Sequence, residues 1–290
     1  MSKALVDLVA QLQLERIEEN LFRGQSQDLG WGTVFGGQVL GQALSAAVQT
    51  VEPSRAVHSL HAYFLRPGDV KHPIVYDVDR IRDGSSFATR RIVAIQRGLP
   101  IFNMAASFQT PEPGFEHQQP MPDVPPPEAL PTEQERATRQ ASRLPPFLKA
   151  LAFGDRAFEM RSADPEDDPI SPRPRAAERM VWMRTPTSLP ELSSALHACL
   201  LAYASDTGFI ATALLPHGVT WIAPGMQVAS LDHVMWFHQP LRVDEWLLYV
   251  MDSPSAHGAR GLVRARIYTR SGTLVASTAQ EGLIRRRPQP

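Results

Sequence analysis

The chain has 290 residues, 43% of them hydrophobic and 20% charged, with a formal net charge of −1. That length suits one large domain or two ordinary ones, and the near-neutral balance excludes a protein that binds nucleic acid through an overall basic surface. A single cysteine, Cys199, excludes an intramolecular disulfide and a cysteine-rich zinc site.

The first 15 residues mix acidic and apolar side chains and predict a short amphipathic helix, not a secretion signal. No stretch approaches the roughly 18 consecutive apolar residues of a membrane span. The last residues do not form a Ser-Lys-Leu peroxisomal address. A cytoplasmic protein is expected, with no membrane and no nucleic acid among its partners.

Gly36-Gly37-Gln38-Val39-Leu40-Gly41-Gln42-Ala43-Leu44 predicts a buried helix. Tyr63-Phe64-Leu65-Arg66-Pro67 follows it, then the β-branched runs Ile74–Val78 and Arg91–Ile95, a turn at Gln96-Arg97-Gly98, and a strand over Ile101–Phe108. The order recurs at near-constant spacing. Phe209–Leu215 aligns with the first helix, Trp236-Phe237-His238-Gln239-Pro240 with the aromatic-proline signal, Gly272 with Gly98, and Leu274–Ile284 with the last strand. Neither copy alternates strand with helix, so a parallel βαβ sheet is disfavoured and a helix followed by an antiparallel meander is expected.

Between the copies, residues 111–150 hold 10 of the 26 prolines. Proline lacks an amide donor and cannot sit inside a sheet. The organisation is therefore an N-terminal repeat over 1–110, a Pro-rich linker over 111–150 with a helical insert near Thr132–Arg143, and a C-terminal repeat over 151–290. A lid is the alternative reading of the linker. The fold class is α+β: two repeats, each a long helix wrapped by a curved antiparallel sheet, with the two sheets joined.

Among polar residues, Asp206 stands before Thr207-Gly208-Phe209-Ile210, where it would make a good helix N-cap. Ser230 opens a strand, and Gln280 sits among small and acidic residues. Strict alternation would place Ser230 and Asp232 on one strand face and His233 on the other, so His233 is badly placed to activate Ser230. His58, His61 and His238 predict packing and strand pairing, and Cys199, in an apolar helix, predicts core. No Gly-x-Ser-x-Gly elbow, His-Glu-x-x-His zinc motif or phosphate-binding loop occurs.

Four blocks carry a family resemblance: Phe35–Ala43, Val57–Asp69, Leu231–His238 and Ala276–Gly282. In this order, across nearly the whole chain, they resemble the acyl-CoA thioesterase II family, the double-hotdog thioesterases of bacteria and peroxisomes. The resemblance implies a double hotdog fold and hydrolysis of fatty acyl-CoA to free fatty acid and coenzyme A, with no cofactor and no metal. It also implies a homodimer or a dimer of dimers. It places the catalytic group on Asp206, Ser230 and Gln280, with serine where bacterial relatives often carry threonine. Asp206 would act as base toward a water held by Ser230 and Gln280. Backbone amides near Gly36-Gly37 or Asp206-Thr207-Gly208 would receive the oxyanion. Candidate substrate contacts are the Gly37 amide, the Trp236 ring, and basic side chains for the coenzyme phosphates: Arg66, Lys71, Arg90, Arg91, Arg260 and Arg264. Two other readings remain at this point: a hydratase or dehydratase, which hotdog folds also host, and a non-catalytic acyl-CoA sensor.

Overall fold

The structure is a computed structural model that describes residues 2–164, 167, 168, 170, 172–189 and 192–287. It opens with helix α1 (Lys3–Leu12), capped by the Ser2 hydroxyl, which accepts the Leu5 N–H; Leu5, Leu8 and Leu12 bury one stripe against the core. Short strands β1 (Glu15–Glu18) and β2 (Leu21–Gly24) follow, then helix α2 (Gly36–Val48), in which Gly37 to Ala47 are all buried. A helix buried on every side has to be enclosed. The enclosing strands are β3 (Ala56–Phe64), β4 (Ile74–Asp83), β5 (Phe87–Gln96) and β6 (Leu99–Gln109).

The connection to the second half carries α3 (Glu133–Arg139) and α4 (Pro146–Phe153). Helix α3 is the helical insert expected near Thr132–Arg143, and it begins at a reciprocal Thr132–Glu135 capping box. Then come β7 (Glu159–Ser162), β8 (Glu178–Arg184) and α5 (Ser194–Ser205), a 3-10 helix over Ile210–His217, and strands β9 (Met226–Ser230), β10 (Asp232–Phe237), β11 (Leu247–His257), β12 (Arg260–Thr269) and β13 (Leu274–Arg286).

All the strands form one sheet of 13, joined at a β3–β10 seam where His233 faces Ala62 and Trp236 faces Ser59. Outward from that seam, β3, β6, β5, β4, β2, β1 answer β10, β13, β12, β11, β8, β7. The two halves thus repeat one another about an approximate two-fold axis. The β5–β6 turn needs left-handed backbone at Arg97 and Gly98 (φ 52° and 76°), and Gly272 (φ 92°) serves the matching turn between β12 and β13.

The second wrapped helix is α5, not Phe209–Leu215 as sequence alignment of the copies predicted. The 3-10 helix and β9 are additional in this half, inserted between the helix and the seam strand, and they displace the helix toward the N-terminus. The run Ser194–His217 is long and apolar enough by composition to cross a membrane, yet 67% of its most apolar window is buried inside the fold. Its apolarity is accounted for by burial in the core.

Helices α2 and α5 lie antiparallel and very close. A Cβ added at Gly37 would come within 2.3 Å of the Tyr203 carbonyl oxygen, and one at Gly41 within 3.0 Å of the Cys199 carbonyl oxygen. Only glycine allows backbone to approach backbone this closely.

Strand β11 explains the path of the Pro-rich segment. Leu247, Tyr249 and Met251 face the main core, while Leu248 and Val250 face a second cluster with Trp182, Trp246 and Tyr268. Met121, Val124 and Leu130 pack on that second cluster, and the Trp182 indole donates to the Pro125 carbonyl at 3.0 Å. This part of the connection is a strap on the outer sheet face, away from the helices.

Candidate functional site

Helix α5 is buried by its own apolarity, and it carries Asp206 inward as its C-terminal capping residue (φ −82°, ψ −8°). This corrects the expected N-cap role: the carboxyl sits at the negative end of a helix dipole, which does not stabilise its charge. Because α5 runs antiparallel to α2, its end meets the Gly36-Gly37 start of α2. The Gly37 amide is near enough to the Asp206 carboxylate to favour its ionised form. A Cβ on Gly36 would lie 2.7 Å from Asp206 Oδ2.

The other partners come from a break between two strands. Ser230 ends β9 and Asp232 starts β10, and both strands pair with β13: Ser230 faces Gly282, and Val234 faces Ala279. Four steps along one strand match three along the other, so the pairing slips by one residue around Leu231. The slip is pinned by the Leu231 N–H to the Glu281 carbonyl (2.9 Å), the Phe64 N–H to the Leu231 carbonyl (2.9 Å), and the Glu281 N–H to Asp232 Oδ1 (2.6 Å). Ser230 Oγ donates to Asp206 Oδ1 at 3.1 Å. Gln280 Nε2, from β13, donates to the same oxygen at 3.0 Å and to Ser230 Oγ. Asp206, Ser230 and Gln280 are therefore brought together.

Burial pushes the Asp206 carboxyl up to about 6, against the lowering effect of the bonds from Gln280 and Ser230 and of the Gly37 amide. A carboxyl poised there is ionised at neutral pH yet basic enough to accept a proton. The neighbouring Tyr203 phenol is pushed up to about 12, mainly by burial and then by Asp206, and stays neutral.

His233 is the residue that sequence reasoning set aside. It is fully buried, and its Nδ1 lies 3.2 Å from Gln280 Oε1. As expected, His233 makes no hydrogen bond to Ser230, but its face was misassigned because alternation assumed an unbroken strand across Leu231; the one-residue slip turns it inward beside Gln280. Adjacency to Ser230 in the Leu231-Asp232-His233 block was the available signal. Its imidazole bonds Gln280, Ser205 and Thr278.

The proposed substrate contacts fare unevenly. Gly37 reaches the site through its amide, which lies beside the Asp206 carboxylate. Arg90 is 1% exposed, with its guanidinium bonded to Thr50, to backbone carbonyls and to Asp83. It faces the core because β5 alternates inward at this position, and it is not available to coenzyme phosphates. Arg91 faces outward and pairs with Asp79 at 3.0 Å; Arg260 pairs with Glu281 at 2.8 Å and Arg264 with Asp252 at 2.6 Å. Arg66 is exposed, donating to the Pro100 carbonyl at 2.6 Å, and Lys71 is exposed beside Asp69. Trp236 points to the outer face, 39% exposed, edge-on to His61. It is opposite to Met235 and His233 on the same strand and does not join the cluster of Asp206, Ser230 and Gln280. No group of three or more metal-ligating side chains occurs among the described residues.

Two sequence families match: one described as "Acyl-CoA thioesterase N-terminal domain" over residues 26–109, and one described as "Acyl-CoA thioesterase" over residues 168–283. The chain is similar to acyl-CoA thioesterase 2 of Haemophilus influenzae, 44% identical, covering 98% of this chain and 99% of that protein. Among solved structures it resembles the acyl-CoA thioesterase II TesB2 of Mycobacterium marinum, with a TM-score of 0.79 and 41% identity, covering 97% of this chain and 98% of that one. A protein with a hot dog fold from Alicyclobacillus acidocaldarius, 19% identical, matches in fold with a TM-score of 0.75 over 98% of this chain and 99% of that one.

Proposed function

The chain belongs to the acyl-CoA thioesterase family, a family of hydrolases with the double hotdog fold, and from that premise we propose that it cleaves fatty acyl-CoA by direct attack of water. The observation that carries this reading is the convergence of Ser230 Oγ and Gln280 Nε2 on one oxygen of a buried, high-pKa Asp206. A water placed against Asp206 loses its proton to the carboxylate as its oxygen bonds the thioester carbonyl carbon. Ser230 and Gln280 fix the direction of its lone pair. The tetrahedral intermediate then collapses, the carbon–sulfur bond breaks, and the coenzyme A thiolate takes the proton held by Asp206.

The oxyanion needs a donor not already in use. The Gly37 amide favours the ionised form of Asp206, and the Thr207 N–H bonds the Ala204 carbonyl at 3.0 Å. The Gly36 N–H, in the first turn of α2, is the donor we assign, because the opening amides of a helix have no intrahelical acceptor. For the phosphate-bearing coenzyme we retain Arg66, two residues beyond Phe64, whose ring approaches the Cβ position of Gly36. Ser230 donates to Asp206 as a base-activated nucleophile also would, but no imidazole serves it, since His233 contacts Gln280, Ser205 and Thr278, and water attack is the reading we adopt. A homodimer, or a dimer of dimers, is the proposed assembly.

The direct test is a thiol-release assay with purified protein across acyl-CoA chain lengths, with Asp206→Asn as control. Turnover well above that control supports the reading. Equal rates for both proteins, or hydration of crotonyl-CoA without thiol release, would replace it.

A further inference from the structure

Gln280 must present its amide nitrogen to Asp206. A glutamine side chain can turn about its last bond and exchange its oxygen for its nitrogen at little intrinsic cost. If it did so here, Gln280 Oε1 would face the Asp206 carboxylate, two acceptors with no proton between them. Something must hold the amide one way round.

The only side-chain nitrogen bonded to Gln280 Oε1 among the described residues is His233 Nδ1, at 3.2 Å. The other ring nitrogen, Nε2, lies 2.9 Å from Ser205 Oγ and 3.1 Å from Thr278 Oγ1. Each of these hydroxyls also has a backbone carbonyl in reach: Ala202 at 2.8 Å for Ser205, and Val234 at 2.7 Å for Thr278. His233, Ser205, Thr278 and Gln280 are all nearly or fully buried, so water does not compete for these protons. Burial pushes the imidazole down to about 4, which leaves it neutral with one ring proton.

Two proton arrangements are then possible. With the proton on Nδ1, it is donated to Gln280 Oε1, the amide hydrogens go to Asp206 and Ser230, and Nε2 accepts from Ser205 or Thr278. With the proton on Nε2, the hydroxyls keep both carbonyl bonds, but bare Nδ1 confronts Gln280 Oε1. The amide would then turn, delivering its hydrogens to His233 and its oxygen to the carboxylate.

We propose that His233 is a positioning residue: as the Nδ1–H tautomer it locks Gln280 with its amide nitrogen toward Asp206 and Ser230, with Ser205 and Thr278 holding that tautomer from behind. The link to catalysis rests on the thioesterase reading above; the tautomer does not. At the corresponding places in the first half, Leu60 faces Ala106, both buried and apolar. A core at this position of the fold thus packs without polar groups, and the buried histidine calls for another explanation.

The tautomer is measured directly by long-range ¹H–¹⁵N correlation of ¹⁵N-histidine-labelled protein. His233→Asn identifies the signal among the nine histidines. A protonated Nδ1 with a bare Nε2 is the expected result, and a protonated Nε2 overturns the proposal. Kinetics read the consequence. His233→Leu should lower kcat by about 10- to 100-fold with KM little changed, as expected for one lost orienting hydrogen bond. Asparagine places a donor near the Nδ1 position, so His233→Asn should recover at least about tenfold of that loss. In a Gln280→Ala background, His233→Leu should have no further effect. A purely structural histidine would give equal kcat for the two His233 variants, or an effect that persists without Gln280, and either result overturns the proposal. If His233→Leu does not fold, the labelled spectrum and His233→Asn in both backgrounds decide alone. Full activity in Gln280→Ala itself would remove the catalytic site reading while the spectrum still reports the tautomer.

Discussion

Gly36, at the start of α2 in the first half of the chain, meets Asp206, at the end of α5 in the second: a Cβ on Gly36 would lie 2.7 Å from Asp206 Oδ2. The approach exists because the residues where the helices pass are small enough. With a side chain at Gly37, the Tyr203 carbonyl would be struck and the two helix ends would separate.

Gly37→Ala is therefore expected to destabilise the protein by about 1–3 kcal/mol, the usual range for overpacking, and to lower kcat as the helix ends part and Asp206 shifts. Denaturant melts and the thiol-release rate measure the two effects. Unchanged stability and unchanged rate would show that α2 and α5 have room to spare.

The rate should follow the ionisation of Asp206. With its carboxyl pushed up to about 6, kcat/KM should fall below pH 6 by one proton and be level above about pH 7. His233 is not the source, since its imidazole is pushed down to about 4. A limb centred near the ordinary carboxylate range would mean that Asp206 is not buried during turnover.

Asp206→Asn should lower kcat by about 10²- to 10⁴-fold, the usual contribution of a general base, while leaving the fold intact. Stability carries a second signature. A carboxyl whose folded pKa is raised is favoured by folding while protonated. Its contribution is fully present below the unfolded value near 3.8 and is lost as pH rises through about 6. Relative to wild type, the asparagine variant should therefore be more stable at pH 7.5 than at pH 4.5. Parallel melting curves at the two pH values would remove Asp206 from the buried site.

Ser230→Thr should remain active, and Ser230→Ala should be about 10- to 150-fold slower, because one orienting hydrogen bond to a charged partner is lost. No acyl-enzyme should accumulate. Intact mass after rapid quench with a slow acyl-CoA tests this: an added acyl mass on Ser230 would make the serine the nucleophile.

Arg90→Met should cost about 1–3 kcal/mol, since Thr50 and the Arg82 and Thr89 carbonyls lose a buried donor, with KM for acyl-CoA unchanged. A raised KM at unchanged stability would return Arg90 to the coenzyme site.

The repeat, the antiparallel meander and the joined sheets were legible because each leaves a local mark: the aromatic-proline signals, the β-branched runs and the turns at Gly98 and Gly272. The identity of Asp206, Ser230 and Gln280 was legible only through resemblance, since nothing local distinguishes Gln280 from a surface glutamine. The place of α5 was misread because alignment of the copies assumed equal lengths, and the 3-10 helix and β9 break that equality. Arg90 was misread because an arginine in a strand gives no sign of which face it occupies; only pairing with β4 and β6 turns it inward. The inward turn of His233 was not legible because a one-residue slip in pairing cannot be seen in one strand alone, although the residue makes no hydrogen bond to Ser230.

The near-two-fold repeat has a consequence for how such a chain can diverge. Two identical subunits meeting across a β3–β10-type seam would carry every substitution twice, so each copy would have to serve chemistry and packing at once. Here the halves are covalently joined and free to differ. Leu60 and Ala106 occupy, in one half, the places that His233 and Gln280 occupy in the other. The first half lends a helix tip, and the second carries Asp206, Ser230 and Gln280. One chain therefore holds one centre of this kind where strict symmetry would impose two, and neither half contains all of it.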